Sequence, residues 1–155
     1  MNDGICVILA FVLGFVFAQV SKLVISLISR RGKMSLKEAL ECLVRSGGMP
    51  SGHAASFVGA TVAMGWLRGF TSVECAICVC MSVIIIYDAV NVRYAVGEQG
   101  KLLNEIARSD GNVKTKPQKL VEGHTVSEVI VGMVIGFTIG TLVYMAYEMV
   151  CRVAG

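Results

Sequence analysis

ICVILAFVLGFVFAQVSKLVISLI, residues 5–28, decides the fold. Only Gln19, Ser21, Lys22 and Ser26 interrupt its apolar character. A helix crosses the hydrocarbon core of a bilayer with about 20 predominantly apolar residues, and this run supplies them. It lacks a basic leading segment and is longer than the ~7–15-residue apolar core of a signal peptide. The stretch therefore predicts a retained membrane helix.

The remaining sequence agrees. Of the 155 residues, 55% are hydrophobic and 16% charged, against about 25% charged in an ordinary soluble domain. That length suits one domain, 1–155. Three more apolar runs follow: 54–67, 73–92 and 125–150. The fold expected is an all-α, integral membrane helical bundle of about four transmembrane helices, the second being the shortest. Between the first two runs lies RRGKMSLKEALECLVRSGG, residues 30–48, with Met34, Leu36, Ala39, Leu40, Leu43 and Val44 at helical spacing. Ser35 and Glu38 form a capping box. This predicts a short amphipathic interfacial helix, lying in the interface or packed on the bundle end. Thr71 and Glu74 form a second capping box, before the third span. From Tyr94 to Gly123 the chain is polar, and a loop with a short helix around 97–107 is expected.

With four spans, the 22–53 and 88–128 regions share one side of the membrane. That side holds Lys22, Arg30, Arg31, Lys33, Lys37, Arg45, Arg93, Lys101, Arg108, Lys114, Lys116 and Lys119, leaving only Arg68 and Arg152 opposite. The positive-inside rule makes the basic side cytoplasmic. Lys101, Arg108, Lys114 and Lys116 read as a solvated or lipid-facing basic surface. Of six cysteines, Cys75, Cys78 and Cys80 lie inside the third run, where thiols act as small hydrophobes. Cys6, Cys42 and Cys151 show no pairing logic.

The chain has only two histidines. His53 stands in GGMPSGHAAS, residues 47–56, and His124 in KLVEGHTVSEVIVG, residues 119–132. Each follows a glycine and opens an apolar run, and the topology puts both on the basic side. Helix N-termini expose unpaired N–H groups and a positive dipole end, which favour anions. Histidine serves as nucleophile or as general acid and base. Glu128 lies one helical turn after His124, able to hold one ring nitrogen and free the other. The same Glu128 completes a T-x-x-E capping box with Thr125. Gly132, Gly136 and Gly140 suit close helix packing.

SGGMPSGHAAS, then YDAVNVRYAVGEQGKLLN, then GHTVSEVIVG, in this order and with QVSKLV before them, resemble a known pattern. It is that of the divergent branch of the type 2 phosphatidic acid phosphatase superfamily, small membrane proteins related to acid phosphatase and vanadium-dependent haloperoxidase. The resemblance covers nearly the whole chain. It implies a lipid phosphate phosphatase with His124 as nucleophile, Glu128 as its orienting acid and His53 as general acid. Ser51 and Gly52, with Lys22 and Arg93, would hold the phosphate. It implies no metal and no cofactor. The superfamily's arginine before the nucleophile is missing from the 118–123 stretch, QKLVEG, so Arg93 or Lys119 would take its place. Paired arginines of the branch appear here as Arg93-Tyr94, and the first signature is reduced to Lys22 and Arg45. Asp88, Gln99 and Asn104 fit the branch pattern as supporting residues. Asp88 has a structural reading too, paired with Arg93 or with Lys22.

The partners expected are a phosphorylated lipid substrate and membrane lipids, with no nucleic acid and with room for a homo-oligomer. The rival reading is a non-catalytic membrane protein that binds phospholipid headgroups or acts as a scaffold. Transport has less support, since no pair of spans is broken at corresponding midplane positions.

Overall fold

The computed structural model describes residues 2–31, 33–44, 47–109 and 123–154. These form helices only: α1 (Asp3–Ser29), α2 (Leu36–Val44), α3 (Gly52–Arg68), α4 (Val73–Tyr87), a π-turn (Asp88–Val92), α5 (Arg93–Ser109) and α6 (Val126–Ala154). Three helical stretches are long and apolar enough to cross a membrane: Asp3–Ser29, Val73–Ser109 and Val126–Val153. The chain is an all-α membrane bundle. At 17 residues, α3 is about 26 Å long and falls short of the other three. It nevertheless lies at the centre, packed against α1, α4 and α6.

Large apolar side chains do not make this core. Phe11, Phe15, Ile77, Val83, Val134 and Phe137 are exposed, whereas the buried positions are mostly Ala, Gly, Ser and Cys. That inversion is expected in a bilayer, where lipid tails cover large apolar groups and close backbone packing supplies the attraction between helices. Along α1 the buried residues are Cys6, Ala10, Gly14, Ala18 and Lys22. Each follows the last by four, so they form one row on one face. A Cβ on Gly14 would lie 2.7 Å from the Ala55 carbonyl oxygen, and one on Gly136 would lie 2.5 Å from the same atom. Ala55 of α3 is thus gripped between α1 and α6, too closely for any side chain at those two glycines.

The connections differ from expectation in two places. Ser72, not Thr71, caps α4, accepting from Cys75 N at 3.2 Å. The short helix expected around 97–107 is present but longer, running from Arg93 to Ser109, because the π-turn carries α4 into α5 without the expected loop. Helix α2 packs on α1, antiparallel to its C-terminal part. Arg30 pairs with Glu38 at 2.9 Å, Ser26 Oγ meets Cys42 Sγ at 3.4 Å, and Gln19 Nε2 donates to the Leu43 carbonyl at 2.6 Å. The Ser35–Glu38 capping box forms as its spacing predicts. Glu38 Oε2 accepts from both the N–H and the hydroxyl of Ser35. Those two bonds, the backbone N–H first, hold the Glu38 carboxyl below the usual range.

At one end of the bundle, Asp3 binds Arg68 at 3.0 Å and accepts from Tyr147 Oη at 2.8 Å. Trp66 stacks on Tyr144 nearby. The other end gathers the C-terminus of α1, the N-termini of α3 and α6, and the π-turn.

Candidate functional site

The two histidine segments are joined through the backbone. Ser51 N–H donates to the Glu128 carbonyl at 3.0 Å. This places the P-S-G-H turn on the first turn of α6. Gly47 and Gly48 take φ values of 93° and 80°, left-handed conformations that favour glycine, and so turn the chain into α3. Ser51 is fully buried and caps α3, accepting from Ala54 N at 3.4 Å. Close approach makes the contact possible: a Cβ on Gly132 would lie 2.5 Å from the Ser51 carbonyl oxygen.

His124 is buried, 4% exposed. Its Nδ1 lies 3.2 Å from Glu128 Oε2, and the same oxygen accepts from Thr125 N at 3.0 Å. Glu128 therefore caps α6 and contacts the imidazole through the same oxygen. A carboxylate at Nδ1 fixes the proton there and leaves Nε2 with its lone pair. Burial holds the His124 pKa below the ordinary imidazole value. The hydrogen bond and charge of Glu128 oppose this, while the charges of Lys22 and Arg93 reinforce it.

The backbone of His124 is held from the other side. Its N–H donates to the Ala89 carbonyl, 3.0 Å away in the π-turn. In an α-helix that carbonyl would accept from Arg93 N–H. Here Arg93 N–H reaches back to the Asp88 carbonyl instead, and Ala89 is released for His124. A Cβ on Gly123 would overlap the Tyr94 backbone. The approach of 123–124 to the start of α5 thus leaves no room for a side chain.

Lys22 ends the small-residue row of α1 and is 7% exposed. Its Cδ is 4.0 Å from where a Gly48 Cβ would stand. The Arg93 guanidinium is held by Asp88, Nε to Oδ2 at 2.6 Å. Of the two partners weighed for Asp88, this is the one observed. His53, in the first turn of α3, is half-buried, and its imidazole is close enough to feel the charges of Arg93, His124, Asp88 and Lys22. The structure thus brings together His53, His124, Glu128, Lys22, Ser51, Gly52, Asp88 and Arg93. Lys119, Arg45, Lys114 and Lys116 lie outside the described residues.

Beside Glu128 a cleft of ≈ 250 Å³ opens, lined by Gly48, Gly97, Gly123, Tyr94, Thr125, Glu98 and Lys101. Glu98 and Lys101 pair across 2.6 Å at its side. Gln99 is exposed on α5, and Asn104 is half-buried about one further turn along; neither lines the cleft. Three features escape a reading of the sequence. The π-turn leaves no trace in the hydrophobic period. Tyr94 reads as a loop residue. Gln19, one turn before Lys22, has a buried Oε1 without a hydrogen-bond partner among the described residues, 3.9 Å from where a Gly52 Cβ would stand. Among the described residues no three His, Cys, Asp or Glu side chains gather as a metal site would require.

Residues 5–139 match the family described as "Divergent PAP2 family". The uncharacterized membrane protein YuiD of Bacillus subtilis (strain 168) is 31% identical over 100 residues. The match covers 64% of this chain and 60% of that protein, so the chain spans about three fifths of the relative's length. No solved structure matches.

Proposed function

The chain belongs to the divergent PAP2 family, and from that membership and the site geometry we propose that it is a membrane phosphatase acting on lipid phosphates through a phosphohistidine. The observation that carries this reading is the Glu128 carboxylate on His124 Nδ1, beside the His53 turn that Ser51 ties to the Glu128 backbone. A helical cap alone would not need an imidazole in that contact.

In the proposed reaction, Nε2 of His124 attacks phosphorus while the bond to the lipid oxygen breaks. His53 donates a proton to the departing alkoxide. Water then attacks phosphorus, gives a proton back to His53, and breaks the P–N bond to release phosphate. Lys22, Arg93 and the N–H groups opening α3 neutralise the phosphate oxygens, the electrostatic contribution that dominates such transfers. Lipid substrates follow from the site's place at one end of an apolar bundle. The excess of Lys and Arg on that side supports a cytoplasmic-facing site.

One observation favours headgroup binding without turnover: the nucleophile is 4% exposed, in a chain whose third motif lacks its arginine. The two readings separate in one experiment. Purified protein in detergent is offered a panel of lipid phosphates with EDTA present, beside His124→Ala. Metal-independent release that vanishes in the variant supports the phosphatase. Lipid binding without release, unchanged in the variant, supports the binder.

A further inference from the structure

We propose that the π-turn at Asp88–Val92 is the device that aligns this site, holding the nucleophile's backbone and the phosphate-binding arginine in one register. The inference rests on the phosphatase reading for its consequence, though its geometry stands apart from it. A π-turn is an α-helix with one extra residue, and such insertions recur at functional sites. The insertion does two things at once here. By sending Arg93 N–H to the Asp88 carbonyl, it leaves the Ala89 carbonyl without its helical donor. Ala89 is buried, and its carbonyl takes the N–H of His124 at 3.0 Å. The extra residue also turns everything after it by about 100° relative to α4. Arg93 then comes round to the histidines, where its charge reaches both imidazoles, with Asp88 holding its Nε at 2.6 Å.

This accounts for a site that lacks the usual arginine before the nucleophile. The arginine arrives from another helix, and the same turn that delivers it grips the nucleophile. Glycine at 123 is part of the device, because the chain before His124 lies against the Tyr94 backbone with no space for a Cβ. The π-turn is a positioning element, acting through His124 and Arg93.

Deleting Val90 tests it. With one residue fewer, Arg93 stands four residues from Asp88 in regular α-helix. The Ala89 carbonyl then accepts from Tyr94 N–H, and His124 N–H loses its partner. Val90→Ala shortens the side chain but keeps the register, and serves as the comparison. The readouts are kcat on a lipid phosphate and amide hydrogen exchange at His124, followed by NMR in detergent. In wild type and Val90→Ala the His124 amide should exchange about a hundredfold slower than an unprotected amide. In the deletion variant that protection should disappear and kcat should fall about a hundredfold or more. A deletion variant with wild-type kcat overturns the inference. So does a His124 amide that exchanges freely in the wild type, a result obtained whether or not the deletion variant folds. Wild-type protein that is protected at His124 yet releases no phosphate would sink the phosphatase reading and leave the positioning role standing.

Discussion

Replacing Glu128 by Gln gives the sharpest test of the nucleophile's geometry. Both hydrogen bonds of the carboxylate, to His124 Nδ1 at 3.2 Å and from Thr125 N at 3.0 Å, converge on one oxygen, Oε2. The Thr125 N–H can only donate. In the variant it selects the amide oxygen for that position, and the same oxygen continues to accept from His124 Nδ1–H. The tautomer is therefore preserved, and what is lost is charge. A hydrogen bond to a charged group contributes about 1.5–3 kcal/mol against about 0.5–1.5 for a neutral one. The difference of roughly 1–1.5 kcal/mol corresponds to about tenfold in rate. Glu128→Ala removes cap and orienting group together and should reduce kcat about a thousandfold. The assay is phosphate release in detergent at saturating lipid phosphate, with thermal unfolding to confirm the fold. A Gln variant as inactive as Ala, near the 10⁴-fold loss seen when an amide imposes the wrong imidazole tautomer, would refute the shared-oxygen argument. A Gln variant equal to wild type would reduce Glu128 to a helix cap.

Three further expectations concern pH, the phosphate clamp and packing. His124 is held below the ordinary imidazole pKa, so the unfolded chain binds more protons than the folded one between the two values. That contribution to stability is complete above about pH 6.5 and is lost as pH falls through the folded value; acid thermal melts should be flatter in His124→Gln. Because Glu128 raises this pKa, Glu128→Gln should shift the acid limb of kcat/KM to lower pH, read from a pH–rate profile. Asp88→Asn frees the Arg93 side chain but breaks an ion pair that is partly exposed; stability should change by less than about 1 kcal/mol, while KM for the lipid phosphate rises. Gly136→Ala would set a Cβ 2.5 Å from the Ala55 carbonyl oxygen and 3.0 Å from Gly59 N, and should destabilise the bundle by about 1–3 kcal/mol in detergent melts.

Much of the bundle was legible because its signals are local. Residues 5–28 and 125–150 read as spans on length and hydropathy alone, and both appear as single long helices. The histidine pairing was legible through topology, since alternating spans bring the start of α3 and the start of α6 to one end. The π-turn was not. One inserted residue changes which carbonyl each N–H reaches, yet leaves composition and period almost untouched. The helix expected around 97–107 was legible, but its start at Arg93 was not, because continuity with α4 through the π-turn makes the residues before Gly97 helical too.

Packing and chemistry occupy the same rows of residues. Cys6, Ala10, Gly14 and Ala18 step along α1 at intervals of four, and the next step is Lys22. Gly140, Gly136 and Gly132 step back along α6 at the same interval, and the next steps are Glu128 and His124. The small residues bring the backbones of α1 and α6 onto Ala55 of α3. At the end of each row, where the helices still nearly touch, the side chain becomes a lysine or a carboxylate with its histidine. The contact that holds the helices together without large apolar groups therefore also fixes the separation of the charged groups. A change that spreads the rows, Gly136→Ala being the simplest, should lower kcat more than its effect on the folded fraction explains. Equal losses in kcat and folded fraction would separate packing from chemistry and refute this coupling.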